Sequence, residues 1–177
     1  MATFTEQAPG VAAELPTAAE GFTLNHTMVR IKEPERALHF YTHVFGMRLL
    51  RRLDFPELEF TLYFLTQLSP EDSVPEDPDE RTVWTFRQRG LLELTHNWGV
   101  EAEDFAYHSG NEEPKGYGHI GFNVPNLESA ETWFEDMNVE FIKRSGDGKM
   151  KNVIFVRDPD GYWIEVIQAD LMASLGR

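Results

Sequence analysis

An internal repeat limits the folds open to this sequence more than any other feature. In each half, a strand-like segment that begins at a histidine is followed by a helix-like segment. His26 precedes Ala37 on the apolar stripe of the first helix by eleven residues, and His119 precedes Ala130 on that of the second by the same distance. Such self-similarity indicates one supersecondary unit used twice. We therefore expect two modules of the same topology.

The apolar periodicity predicts the elements of both modules. A strand at residues 24–32 precedes a helix that begins at Pro34, since proline suits a first helical turn, and that ends at Gly46. Period-two alternation predicts the other strands of the first half at residues 47–53, 59–65, 82–87 and 91–97. In the second half we expect a strand from residue 119, a helix from residues 125–126, and strands near residue 141, at 152–156 and at 162–168.

These elements predict an α+β fold of two tandem βαβββ modules. The expected organisation is a flexible N-terminal arm at residues 1–21, a first module at 22–100, an acidic connection at 101–116, and a second module with the C-terminal tail at 117–177. Residues 69–80 are half acidic and include three prolines, which is typical of a solvated loop.

Composition excludes several classes of partner. The formal net charge of −14 disfavours nucleic acid and anionic membranes, because their phosphates would be repelled. The chain has no cysteine, so neither disulfides nor thiolate ligands are available. The N-terminus lacks the basic and apolar regions of a secretory signal, and no run approaches the length of a membrane span. We expect a cytoplasmic protein.

Two histidines and two glutamates occupy matching places in the two halves. His26 and His119 begin early strands, and Glu93 and Glu165 lie in late ones. A carboxylate within an apolar strand such as LLELTHNWG is costly to bury without a cation or a polar site. A lone strand histidine is more often a hydrogen-bonded residue than a ligand, and a lone glutamate more often faces solvent. Because both kinds recur in both halves, we favour one joint site.

The chemistry of these four donors predicts a catalytic metal site. Two imidazoles and two carboxylates suit Zn, Ni, Co, Mn or Fe(II). Structural zinc sites are usually closed and rich in cysteine, so a site with positions open to water or substrate oxygens is catalytic. Such a metal polarises substrate oxygens. Either glutamate beside it, Glu93 or Glu165, can act as the base for a proton next to a carbonyl.

Cationic and amide side chains extend the candidate site. Arg30 shares the strand face of His26, and Asn97 shares that of Glu93, so both could hold a carboxylate-bearing substrate. The basic cluster at residues 143–151 is either an ordinary polar turn or an anion-holding loop in an otherwise acidic chain. The other histidines are assigned to solvated positions or to the opposite strand face: His39, His43, His96 and His108.

Six segments of the chain together form a specific signature: HTMVRIKEPERALHFYTHVFGM, DFPELEFTLYFL, LELTHNWG, GYGHIGFNVP, DGKMK and DPDGYWIEVI. They resemble the glyoxalase I (lactoylglutathione lyase) family of the vicinal oxygen chelate superfamily, over about residues 22–175. The resemblance implies a homodimer whose sheets curl around metal sites at the subunit interface. Each site would use His26 and Glu93 of one subunit with His119 and Glu165 of the other.

The resemblance also implies a reaction. The hemithioacetal of methylglyoxal and glutathione would be isomerised to S-D-lactoylglutathione, with Glu165 as the base. Family positions that hold glutathione fall on six residues: Arg30, Asn97, Lys115, Lys143, Lys149 and Met150. Those that form an apolar pocket fall on four others: Phe55, Phe60, Leu62 and Phe64.

Two features of the resemblance point to different metals. His26 stands where long, zinc-activated members often carry glutamine and short, nickel-activated bacterial members carry histidine, whereas the insertions at 69–80 and 101–115 are those of the long forms. We favour zinc, with nickel as the alternative. Lys115 stands where long members often have arginine, which keeps the charge but loses bidentate carboxylate binding.

Two other functions are compatible with the residues. One is a different metalloenzyme of the same superfamily, such as an Fe(II) dioxygenase or an epimerase. Iron dioxygenases use two histidines and one carboxylate, so the second glutamate disfavours them. The other is a non-enzymatic protein of the same fold that sequesters a ligand. Such a protein needs no metal ligands, so the presence of all four disfavours it.

Overall fold

The computed structural model describes residues 8–12, 14 and 16–174. Its main elements in chain order are β1 (His26–Ile31), α1 (Pro34–His39), β2 (Arg48–Phe55), β3 (Phe60–Thr66), α2 (Pro78–Arg87), β4 (Leu91–Asn97), β5 (His119–Asn123), α3 (Leu127–Asp136), β6 (Glu140–Lys143), β7 (Val153–Arg157) and β8 (Trp163–Ile167). A π-helical turn at Phe40–Val44 continues α1, and short 3-10 turns lie at Thr17–Ala19, Pro56–Leu58, Val100–Ala102 and Ala169–Ser174.

The strands form two four-stranded sheets of the same topology. The first has the order β1-β4-β3-β2 and the second the order β5-β8-β7-β6, with the first two strands of each parallel and the others antiparallel. Neither sheet closes into a barrel. The predicted α+β fold of two repeated modules is confirmed, while the exact module boundaries stay predictions.

The first helix begins and ends where local signals place it. Pro34 occupies its first turn, and Gly46, just beyond the π-helical turn, has a φ of +67° that a residue with a Cβ rarely adopts. Ala37, Tyr41 and Val44 form the predicted stripe and are buried. This stripe packs α1 against the core that both modules share.

The strand predicted at residues 82–87 is wrong, because these residues belong to α2. Asp77 caps the helix, and its carboxylate accepts hydrogen bonds from the backbone N–H groups of Asp79 and Glu80, both at 3.0 Å. Pro78 follows at the first helical position, and the two acidic residues stabilise the helix N-terminus. The β-branched and aromatic residues of TVWTF favour a strand. The N-cap at Asp77 and the acidic first turn stabilise a helix more strongly here.

The back faces of the two sheets share one hydrophobic core. Phe45 at the end of the first helical segment packs on Phe122 of β5, with ring centroids 4.5 Å apart. The indole N–H of Trp133 donates to the carbonyl of Val44 at 2.9 Å, and the backbone N–H of Lys32 donates to the Asp160 carboxylate at 2.7 Å. The modules are therefore docked through their back faces. The opposite face of each sheet is turned away from this core, and that of the first sheet packs in part against α2.

A buried carboxylate ties the modules together and makes their docking sensitive to pH. Asp158 accepts a hydrogen bond from the Tyr41 hydroxyl at 2.7 Å and two from the backbone N–H groups of Asp160 and Tyr162. Burial nevertheless raises the pKa of Asp158 to about 6, and the nearby charge of Asp160 acts in the same direction. The folded protein thus binds this proton more tightly than the unfolded chain does.

The stability that this group contributes is present below its unfolded pKa of 3.8 and is lost as the pH rises through about 6. Asp158→Asn keeps the shape and removes the titration. We expect the free energy of unfolding of the variant to rise relative to that of the unmodified chain between about pH 4 and pH 7. Urea unfolding of both proteins across this range measures the difference, and a difference independent of pH would contradict the assignment.

The predicted arm at residues 1–21 lies partly outside the described residues, since residues 1–7, 13 and 15 are not described. Its described part includes the turn at Thr17–Ala19, which buries no residue. Residues 175–177 of the predicted tail also lie outside them. Within the described part of the chain, no helix combines the length and apolar character needed to cross a membrane.

Candidate metal centre

The two sheets place a histidine and a glutamate in the same register. In the first sheet Glu93 of β4 pairs with Met28 of β1, two residues after His26. In the second sheet Glu165 of β8 pairs with Gly121 of β5, two residues after His119. Residues two apart on a strand share a face, so each histidine lies on the same face as its glutamate. The sequence repeat thus places one histidine and one glutamate, both candidate metal ligands, side by side in each sheet.

The first pair is close and partly buried. His26 Nε2 lies 3.1 Å from Glu93 Oε2. The other oxygen, Oε1, accepts a hydrogen bond from the Thr95 hydroxyl at 3.0 Å. The side chain of Glu93 is 11% exposed, and the edge of Phe64 lies against the imidazole at a centroid distance of 5.9 Å. The carboxylate of Glu93 is therefore fixed in position by contacts at both of its oxygens.

The second pair is similar but more open. His119 Nε2 lies 3.4 Å from Glu165 Oε2, and the Glu165 side chain is 23% exposed. Phe155 lies against the His119 ring, at 5.3 Å between centroids. Apart from the contact with His119, no hydrogen bond to the Glu165 carboxylate is found among the described residues. A Cβ placed on the facing Gly121 would lie 3.8 Å from Oε2, at ordinary van der Waals distance.

The arrangement of His26 and Glu93 is suited to binding a cation between them. The Asn25 amide oxygen faces His26 Nδ1 at 2.8 Å, and the amide nitrogen of Asn25 donates to two backbone carbonyls. An amide oxygen only accepts, so Nδ1 carries the proton and Nε2 presents a lone pair. That lone pair faces a carboxylate oxygen at 3.1 Å. Two electron-rich atoms so close require a proton or a metal ion between them, and imidazole with carboxylate suits a divalent metal.

The four candidate ligands do not meet within one chain. Across the described residues, no three histidine, aspartate or glutamate side chains converge on one point. The chain instead presents two half-sites, His26 with Glu93 and His119 with Glu165, on different sheets.

Two of the predicted glutathione contacts lie on the face of the first half-site. Arg30 is exposed on β1 and pairs with Thr95, so it lies on the His26 face and points to solvent. Asn97 is exposed at the end of β4, opposite Phe60. Both are placed as the alternation predicts.

The other predicted contacts lie in loops. The Lys143 ammonium donates to the carbonyls of Arg144 and Val153, at 3.1 and 2.7 Å. Lys149 and Met150 are exposed in the turn between β6 and β7. Lys115, also exposed, donates to the carbonyl of Asn111 at 3.0 Å. Within the basic cluster, Lys143 thus stabilises the β6–β7 hairpin, whereas Lys149 and Lys151 are exposed to solvent.

The predicted apolar pocket lies on the same face of the first sheet. Phe55 and Phe60 stack with centroids 4.7 Å apart. Phe64 pairs across the strands with Glu93 and is buried beneath Phe86 of α2, at 4.9 Å between ring centroids. Phe86 and the α2 helix that carries it were missed from the sequence, because this segment was assigned to a strand. The helix cap at Asp77 is the signal that could have found them.

His96 lies on the strand face opposite Glu93, as the alternation predicts. His96 is buried, and its Nε2 lies 2.8 Å from Glu101 Oε1, away from the Glu93 side chain. His39 and His43 stack on each other on the first helical segment, with centroids 4.3 Å apart, and both are exposed.

The fold agrees with the comparisons. The model described as Glyoxalase/Bleomycin resistance protein/Dioxygenase superfamily matches residues 23–166. The chain therefore belongs to this superfamily.

Within it, the chain is similar to several lactoylglutathione lyases. It is 51% identical to that of Pseudomonas aeruginosa over 173 residues, which cover 98% of this chain and 97% of the relative. It is 45% identical to that of Schizosaccharomyces pombe over 82% of this chain and 47% of the longer relative. Among solved structures, the trypanothione-dependent glyoxalase I of Leishmania major superposes with a TM-score of 0.64 at 29% identity, covering 85% of this chain and 89% of that one.

Proposed function

We propose that this chain is a lactoylglutathione lyase. It would convert the hemithioacetal formed by methylglyoxal and glutathione into S-D-lactoylglutathione, which removes a reactive dicarbonyl. The observation that carries the proposal is the repeated register of histidine and glutamate in the two sheets. It is supported by 51% identity, over nearly the whole chain, to a relative of that name. The expected cytoplasmic location is part of the proposal.

The active unit is a homodimer with sites shared between subunits. Each chain offers two half-sites on different sheets, and each half-site supplies one imidazole and one carboxylate. Two chains related by a two-fold axis can bring the first half-site of one against the second half-site of the other, twice. His26 and Glu93 of one subunit and His119 and Glu165 of the other would then hold one divalent metal.

The metal that we favour is zinc, with nickel as the alternative. Imidazole and carboxylate donors suit both. The choice of zinc rests on the insertions at residues 69–80 and 101–115, and the case for nickel rests on histidine at position 26. Bound there, the metal would polarise the substrate oxygens and stabilise the negative charge that develops when a neighbouring proton is removed.

Glu165 is the base of the proposed reaction. Its carboxylate takes the proton from the carbon that bears the hydroxyl group, and an enediolate forms. Glu165 then returns the proton to the adjacent carbon, and the hydroxyl proton passes from the first oxygen to the second, so no proton is gained or lost overall. Its side chain is more exposed than that of Glu93, at 23% against 11%, and its carboxylate makes no contact as short as a hydrogen bond among the described residues apart from that with His119. Glu93, held by Thr95, serves as a fixed ligand.

The substrate lies on the free face of the first sheet. Arg30 and Asn97 supply a cation and an amide for the carboxylates of glutathione, with Lys115, Lys143, Lys149 and Met150 contributed by loops. The stacked rings of Phe55 and Phe60, with Leu62 and Phe64, border an apolar region for the group that is transferred. A chain with a net charge of −14 needs such local cations to hold an anionic ligand.

Arg30→Ala is expected to weaken substrate binding. Loss of a charge-assisted hydrogen bond worth about 1.5–3 kcal/mol should raise KM for the hemithioacetal at least about tenfold, while metal content stays unchanged. Steady-state kinetics and metal analysis measure both. Arg36→Ala is the matched control, because it removes the same charge from α1, where Arg36 lies 4.0 Å from Glu33. An unchanged KM with a lowered Tm would assign Arg30 a structural role.

A direct assay tests the proposed function. Purified protein, stripped of metal and reloaded with Zn²⁺ or Ni²⁺, is mixed with methylglyoxal and glutathione, and the thioester is followed by its absorbance. Turnover that needs both the metal and glutathione supports a lyase. Tight ligand binding without turnover would favour a sequestering protein, and oxygen consumption with Fe(II) would favour a dioxygenase.

A further inference from the structure

The side chain of Asn25, immediately before the candidate ligand His26, is held by three hydrogen bonds. Its amide nitrogen donates to the carbonyls of Phe86 and Gln88, at 2.8 and 3.0 Å. Its amide oxygen faces His26 Nδ1 at 2.8 Å. The residue is half-buried, and the backbone carbonyl of Asn25 also accepts from the Leu91 N–H at 2.9 Å.

The two carbonyls belong to the C-terminal end of α2. Helix ends leave their last carbonyls without partners inside the helix, so an amide N–H₂ group is a suitable partner for two of them at once. Because both of its N–H groups are used, the Asn25 amide cannot turn its nitrogen towards the imidazole without losing two hydrogen bonds. The end of α2 therefore fixes which way the amide points.

The orientation of the amide determines the form of the imidazole. Facing an oxygen that only accepts, His26 Nδ1 must carry the proton, and Nε2 is left with the lone pair that a metal requires. Partners that set a ligand's tautomer and ring orientation raise metal affinity. The other half-site lacks this arrangement, since the residue before His119 is Gly118, which has no side chain.

We infer that Asn25 is a positioning residue, through which α2 fixes His26 in the tautomer that binds the metal. The segment between β3 and β4 that carries α2 would then be part of the metal site, although none of its side chains is a ligand. This inference rests on the proposed role of His26 as a ligand, and it predicts an asymmetry between the two histidines that the sequence repeat does not contain.

Two readouts on the full chain test the inference without enzyme turnover. The first is the ring tautomer of His26 in the metal-free protein, from long-range proton–nitrogen NMR spectra at about pH 8.5, well above the ordinary histidine pKa of ~6.5. The His26→Ala variant assigns the signals. The second is Zn²⁺ affinity, measured by competition with a chromophoric chelator.

The tautomer is recorded in a Glu93→Ala background, which removes the carboxylate that would otherwise hold a proton on Nε2. There we expect the proton on Nδ1 when Asn25 is present and a mixture of tautomers in Asn25→Ala. With Glu93 intact, we expect Zn²⁺ affinity at least about tenfold weaker in Asn25→Ala. Asn25→Asp keeps an acceptor for Nδ1 but cannot donate to α2, so it should retain the tautomer while Tm falls. Asn126→Ala is the matched control. It removes the cap of α3, where Asn126 accepts from the Ser129 N–H at 2.7 Å, and touches neither metal-site histidine.

Unchanged tautomer and affinity in Asn25→Ala would overturn the inference, as would an equal loss of affinity in Asn126→Ala. Loss of the tautomer in Asn25→Asp would overturn the acceptor role. Failure of the proposed site itself is distinguishable, because His26→Ala would then bind Zn²⁺ as tightly as the unmodified chain.

Discussion

Glu165→Gln should lower turnover by roughly a thousandfold or more while the dimer and the fold persist. Glutamine keeps an oxygen donor and the size of the side chain, but it cannot accept the substrate proton. Rates of thioester formation, measured on protein with verified metal content, test the expectation. Turnover near that of the unmodified chain would refute the assignment of Glu165 as the base.

Glu93→Gln is the matched control, because it makes the same change at the equivalent position of the other sheet. Glu93 is held by Thr95 and less exposed, so we assign it to metal binding alone. Its turnover should fall much less than that of Glu165→Gln once metal content is matched. If the two variants lose activity equally at equal metal content, the structural asymmetry of the two carboxylates has no catalytic meaning.

Two inactive variants should restore activity when they are paired in one dimer. If sites are shared, a hybrid of His26→Ala and Glu165→Gln chains has one site with both defects and one site with neither. Co-expressed chains that carry different affinity tags, purified through both tags, should therefore show about half of the activity of the unmodified dimer. The physical reason is that each half-site comes from a different subunit.

The pairing of His119→Ala with Glu165→Gln is the control for this experiment. Both changes fall in the same half-site, so each site of the hybrid carries one defect and no activity should return. Restored activity in this control, or none in the first hybrid, would show that the four ligands are not divided between subunits as proposed. Failure to recover any doubly tagged protein would contradict the dimer itself.

The sequence was sufficient wherever the signal is local. Pro34 and Gly46 bound the first helix because a fixed φ and a positive φ are properties of single residues. Strand alternation alone predicted that Arg30 lies on the same face as His26 and that His96 lies on the face opposite Glu93. The reason is that successive side chains of a strand point to opposite sides.

Sequence reasoning failed where two local signals compete. Residues 82–87 have the composition of a strand and the cap of a helix, and the hydrogen bonds of Asp77 favoured the helix. The error also hid two contacts near the site. A strand at residues 82–87 does not predict that Phe86 packs on Phe64, or that the carbonyls of Phe86 and Gln88 accept hydrogen bonds from Asn25. The Lys143 ammonium donates to the carbonyl of Val153 on the neighbouring strand, a contact that no local pattern predicted.

The sequence by itself determined the repeated module, the faces of its strands and the positions of the four candidate donors. These follow from periodicity, which depends only on the order of residues along the chain. Tertiary structure alone decided the rest: the shared register of each histidine with its glutamate, the docking of Tyr41 on Asp158 across 117 positions, and the fixed amide of Asn25. Such contacts join segments far apart in the chain, and their energies depend on distances that no local pattern specifies.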